Sequence, residues 1–227
     1  MKHIAKILFI LAACFYCCSA YAQEESYKYD FGVHAGMSGY LGDANQSNMF
    51  KRPGYAAGLS FRYLPNSRMA VRVVLNTSSL SGNSADFGTV FPDGQSYSFK
   101  SQECDLTGRF EFNFLPYGIG ETYKHLKRIS PYIAAGVGVS LSICDGRTAV
   151  APAIPLAVGV KYKLAQRWNL GLEFCMTKVF GDKVDGELTD LYEIKSSFIK
   201  NTDWHSNIAL SITYEFGKRC VTCHYVD

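Results

Sequence analysis

The chain has 227 residues, 48% hydrophobic and 14% aromatic against 19% charged, which is enough for one sizeable domain and little more. Low charge combined with 15 Tyr and 15 Phe excludes a disordered chain or a coiled coil. A formal charge of +3 excludes a nucleic-acid partner, which needs a clustered basic excess.

Residues 1–22 read as a secretory signal peptide. Lys2 and Lys6 are the only charges before Gln23, Ile7 to Cys18 is apolar, and Ala20-Tyr21-Ala22 offers small residues at the cleavage positions. Leu11-Ala12-Ala13-Cys14 also resembles a lipobox, but Cys14 is followed by apolar Phe15-Tyr16 where a mature lipoprotein turns polar. Either route exports the chain. No later apolar stretch has the length of a helical membrane span, about 18 residues or more.

From Gln23 onward apolar and polar or small residues alternate, the mark of strands with two unlike faces. Tyr29, Phe31, Val33, Ala35 and Met37 alternate with Asp30, His34 and Ser38. Tyr55 to Tyr63 follows with Arg62 on its polar face, then Met69 to Asn76 with Arg72. Leu106, Phe110, Phe112 and Phe114 oppose Glu103, Asp105, Arg109 and Glu111, and Ile133, Ala135, Val137, Val139 and Leu141 oppose Tyr132, Ala134, Gly136, Gly138 and Ser140. Ile154 to Lys163 carries Lys161 and Lys163, Trp168 to Thr177 carries Glu173 and Cys175, and Trp204 to Phe216 carries His205 and Glu215. The expectation is eight strands of around ten residues over 23–216, closed into an antiparallel transmembrane β-barrel, with 217–227 as a periplasmic C-terminal tail. Connections at Leu64–Ser67 and Leu164–Arg167 are short, and Leu115 to Arg128 is an intermediate one on the same side. Leu41 to Gly54, Thr77 to Gln102, Ser142 to Ala153 and Lys178 to Asp203 read as long polar loops on the other side, the last with a short helix at Gly186 to Ile194.

Period two does not by itself say which face points inward; a lipocalin-like barrel puts the apolar face inside. Two features favour the membrane orientation. The polar face is rich in Gly, Ala and Ser, as a narrow eight-stranded interior requires, and aromatics such as Tyr29, Tyr63, Phe114, Trp168 and Phe216 stand near strand ends, where membrane girdles lie. The interior then holds Asp30, Glu103, Asp105, Glu111, Glu173 and Glu215 with Arg62, Arg72, Arg109, Lys161, Lys163, His34 and His205, a near-balanced, ion-paired plug rather than a pore.

Nothing points to catalysis, and no catalytic, cofactor or metal residues are assigned. His34 and Ser38 share a face but are about 13 Å apart along one strand, and Ser206 is expected to face the lipid while His205 faces inward. The five cysteines past the signal, Cys104, Cys144, Cys175, Cys220 and Cys223, leave one without an internal partner. Cys220-Val221-Thr222-Cys223-His224 matches a haem attachment pattern but stands at a chain end, and two further ligands for zinc are lacking nearby. Cys220 and Cys223 are therefore candidates for a disulfide to a periplasmic partner. Lys124, His125, Lys127 and Arg128 form a basic patch suited to an acidic partner.

In this order, Ser38-Gly39-Tyr40-Leu41-Gly42-Asp43, Arg52-Pro53, Phe112-Asn113-Phe114-Leu115-Pro116-Tyr117, Ser130-Pro131-Tyr132, Gly159-Val160-Lys161-Tyr162, Arg167-Trp168-Asn169-Leu170-Gly171 and Asp203-Trp204 resemble the PorG-like outer-membrane barrels of the type IX secretion system and their relatives. The resemblance implies a non-enzymatic barrel in the Gram-negative outer membrane, without cofactors, anchoring a periplasmic ring of lipoprotein and partner. The alternatives are a surface-loop binding or membrane-stabilising barrel and, behind these, a lipid-modifying barrel enzyme.

Overall fold

Each alternating segment pairs antiparallel with its neighbours in sequence, and the last pairs with the first, so no strand edge is left open. The computed structural model describes residues 27–41, 53–83, 98–119, 125–144, 147–180 and 204–218. Its strands are β1 (Tyr27–Leu41), β2 (Gly54–Tyr63), β3 (Met69–Asn83), β4 (Ser98–Asn113), β5 (Ile129–Cys144), β6 (Arg147–Lys163), β7 (Trp168–Val179) and β8 (Trp204–Lys218). The β1–β8 pairing, from Leu41↔Trp204 to Tyr27↔Lys218, closes the barrel. The signal peptide, the expected helix at Gly186 to Ile194, Lys124, Cys220 and Cys223 lie outside the described residues.

Alternation maps onto the two faces as the sequence predicts. Val137 is 69% exposed and Leu210 59%, whereas Arg62 is 2% and Glu111 0% exposed. A water-soluble barrel would reverse these values. An exterior of this kind avoids the cost of apolar surface in water only against hydrocarbon, and in hydrocarbon closure is what satisfies every strand's backbone groups. At the end carrying the short turns, Tyr29 stacks with Phe61, Tyr63 and Phe216 at 5.8 Å, and Trp168 meets Tyr214 at 5.1 Å. These rings form an interfacial girdle.

Parts of two expected loops are strand. β3 and β4 stay paired up to Asn83↔Ser98, and β5 and β6 up to Cys144↔Arg147, so the described residues of Ser142 to Ala153 are strand rather than loop. Ser140, Ser142, Ala151 and Ala153 are small and buried on the lumen face, where alternation has little hydropathy contrast to display. Asp145-Gly146, a strong two-residue hairpin signal, sits between the two strands. The β5–β6 register is interrupted opposite Pro155. β8 also continues past Phe216 to Lys218, so the first two residues assigned to the tail belong to the barrel wall.

Candidate functional site

The narrow barrel leaves its interior to side chains. In the half nearer the short turns, Glu111 from β4 sits among Arg62 (3.2 Å), Arg72 (3.8 Å) and Lys161. Glu173 from β7 binds Arg72, accepts from Arg109 at 3.0 Å and from the Tyr132 hydroxyl at 2.5 Å. Asp30 receives Arg62 at 3.3 Å and Thr213 at 2.5 Å, and Lys163 pairs with Glu215 at 2.5 Å. Five fixed cations thus meet four carboxylates in one connected network. Such charges are tolerated away from water because each is paired and hydrogen-bonded.

Aromatic rings fill the spaces between. Tyr132 lies across its register partner Gly159, with ring atoms 2.7 Å from where a Cβ would stand, so only glycine admits the ring. The Lys161 ammonium lies 4.8 Å from that ring's centre. Tyr117, from the β4–β5 connection, reaches back into the barrel end: its hydroxyl donates to Asn169 at 2.8 Å, and Lys161 and Lys163 lie over its ring at 5.3 and 5.6 Å. Burial and the neighbouring Glu215 carboxylate push that hydroxyl's pKa up, so it remains a donor. Tyr117 therefore stoppers the turn end.

The other half of the lumen is built differently. His205 of β8 stands between Glu103 (Nδ1 to Oε2, 3.0 Å) and Asp105 (Nε2 to Oδ2, 3.2 Å) of β4. His34 donates to Asn76 Oδ1 at 3.0 Å, and the Asn76 amide donates to Asp105 at 3.4 Å. Between the two halves a cavity of about 20 Å³, bounded by His34, Arg72, Asn76, Glu173 and Asn207, has room for a water molecule.

The candidate nucleophile–base pairs do not come together in a reactive arrangement. Ser38 Oγ donates to the Ser79 carbonyl at 2.6 Å and lies within 3.1 Å of the Tyr55 carbonyl, while His34 is engaged with Asn76. Ser206 is fully covered rather than lipid-exposed, its hydroxyl directed at the Gly39 carbonyl at 3.4 Å. Cys104 and Cys175 are both unbridged, Cys175 being buried in the lumen.

Of the basic patch, His125, Lys127 and Arg128 are described, and all three are exposed. The connection that carries them is held against the barrel: Lys127 N–H donates to Pro116 O at 2.7 Å, Gly118 N–H to Lys127 O at 3.1 Å, and Lys163 N–H to Arg128 O at 2.8 Å. His125 adopts φ 49°, a left-handed conformation costing a non-glycine residue about 1 kcal/mol. The patch is thus a fixed surface feature. Tyr117 as stopper and the Glu103–His205–Asp105 contact were not readable from the sequence, because each depends on residues from distant strands meeting across a closed barrel. The one available signal was Tyr117's place in Phe112-Asn113-Phe114-Leu115-Pro116-Tyr117, an aromatic just past a strand end.

Comparison with solved structures agrees with this architecture. Neisserial surface protein A has 11% identity and a TM-score of 0.53, with 86% of this chain and all of that one covered. The attachment invasion locus protein Ail of Yersinia pestis, in complex with the heparin analogue sucrose octasulfate, has 10% identity and a TM-score of 0.48 over 86% of this chain and 100% of that one. The outer membrane protein OprG of Pseudomonas aeruginosa has 11% identity and a TM-score of 0.45 over 85% and 98%. The first of these shows the fold, a small eight-stranded barrel of the outer-membrane type, and nothing more. No curated protein matches. The family model described as domain of unknown function DUF6089 matches residues 5–225, and the chain belongs to that family.

Proposed function

We propose that this DUF6089 member is a non-enzymatic, non-conducting barrel of the Gram-negative outer membrane that anchors a periplasmic protein complex. The observation that carries the reading is the filled lumen. With its charges engaged in ion pairs and Tyr117 closing one end, the barrel has its two rims to offer a partner. A selective pore needs an open path and rings of one sign.

Among the described residues, the turn end, which faces the periplasm in this reading, carries Lys28, Arg68, Lys127, Arg128, Arg167 and Lys218, and its described turns hold no acidic residue. A rim of this kind favours an acidic protein surface and speeds encounter with it. The resemblance to PorG-like barrels supports a ring containing a lipoprotein, as in type IX secretion, as that partner. The tail cysteines Cys220 and Cys223 are the candidate covalent link.

The test is crosslinking in intact cells, then affinity capture of the tagged full chain from detergent-solubilised outer membranes. The expected result is a periplasmic protein whose recovery falls about tenfold or more in the Lys127→Glu/Arg128→Glu variant. On non-reducing gels its adduct disappears in Cys220→Ser or Cys223→Ser if the link is covalent. Capture of ligands through the long loops alone, with nothing held at the turn end, would overturn the anchoring role.

A further inference from the structure

Glu103, Asp105 and His205 lie together under the loop-end mouth of the lumen, 0%, 2% and 2% exposed. One ligand atom from each falls within 4.8 Å of the others. Arg62, Arg72, Arg109, Lys161 and Lys163 form ion pairs with the other four lumen acids. Among the described residues, this cluster therefore has two carboxylates and a single imidazole to balance them. It carries two negative charges with the imidazole neutral and one with it protonated. A surplus of that kind is poorly tolerated out of water.

A second observation concerns the surrounding hydroxyls. Ser78 is the register partner of Glu103 on β3, and Ser101 precedes Glu103 by one step on the same lumen face. Both hydroxyls are buried and lack a hydrogen-bond partner. Native interiors rarely leave such groups unsatisfied, and those that persist commonly mark an absent ion or water. Unpaired oxygens and a surplus of negative charge point the same way.

We propose that Glu103, Asp105 and His205 bind a divalent first-row transition cation, Zn²⁺ fitting best. One imidazole nitrogen with carboxylate oxygens is a Zn²⁺ donor set, whereas Ca²⁺ and Mg²⁺ prefer oxygens alone. His205 Nδ1 lies 3.0 Å from Glu103 Oε2 and Nε2 lies 3.2 Å from Asp105 Oδ2, and neither ring nitrogen nor Glu103 Oε2 makes a hydrogen bond, so an imidazole lone pair and carboxylate oxygens are left for a cation. Leu80 and Val179, almost fully buried, stand on the lumen face one step nearer the mouth than Ser78 and Thr177, and Thr177 pairs with His205. They shield the site from bulk water, so the cation enters as the barrel folds. This inference does not depend on the anchoring role.

The experiment uses the full mature chain carrying Cys220→Ser and Cys223→Ser, which removes the tail thiols as competing ligands. The chain is refolded from urea into detergent with Zn²⁺, Ca²⁺ or a chelator, dialysed, and its metal content measured. Stoichiometric Zn²⁺ without Ca²⁺ is expected, with retention reduced about tenfold or more by His205→Gln or Asp105→Asn. Failure to retain Zn²⁺, or retention unchanged in both variants, overturns the proposal. Should neither variant fold, the parent chain decides: a higher urea midpoint after refolding with Zn²⁺ than with Ca²⁺ or chelator supports the site, and equal midpoints overturn it.

Discussion

The two halves of the lumen solve the same problem with different chemistry. Near the turns, carboxylates are set against guanidinium and ammonium groups that stay charged at any physiological pH, and each acid has more than one donor. Near the loops, two carboxylates share one imidazole. The first half behaves as a permanent plug. The second depends on a proton or a cation to complete it, so removing a carboxylate should cost far less there than in the first half.

Glu111→Gln tests the permanent plug and should have the largest effect. It takes the shared carboxylate from Arg62, Arg72 and Lys161, and stranding buried charge in this way costs about 3–5 kcal/mol. Urea unfolding of the refolded barrel, followed by its shift on unheated gels, reads that loss. Next comes Gly159→Val, which drives a branched side chain into the Tyr132 ring and the Leu172 carbonyl; overpacking of this kind costs about 1–3 kcal/mol on the same assay. Glu103→Gln, the same chemical change as the first but in the other half, should move stability in chelator by under about 1 kcal/mol, since Asp105 and His205 remain as a matched pair. If Glu103→Gln were as costly as Glu111→Gln, the contrast between the halves would be lost. Smallest of all, Lys127→Glu/Arg128→Glu should leave the unfolding free energy within about 0.5 kcal/mol of the parent, because both side chains are exposed, while lowering partner capture about tenfold or more.

Much of the lumen was legible from alternation, for a local reason. Asp30, Arg62, Arg72, Glu111, Lys161, Glu173 and Glu215 each sit between lipid-facing neighbours, and the pleat sends successive side chains to opposite faces whatever the strand pairs with. The same logic failed at Ser142 to Ala153. There, small lumen residues and prolines carried no contrast, and Asp145-Gly146 was the overlooked sign of a hairpin. Ser206 failed differently: it alternates with His205 as expected, yet it is fully covered rather than open to lipid.

Strand number, the identity of the lipid face and the charge of the interior were thus settled by the order of residues alone, because hydropathy and the two-residue pleat are properties of a single strand. Which charges meet was decided only by the closed barrel. His205 is about a hundred positions from Glu103, and Glu173 is joined to Arg72 from a strand on another part of the wall. Those encounters depend on the stagger accumulated over every strand pair before β8 reaches β1, a quantity that no one segment carries.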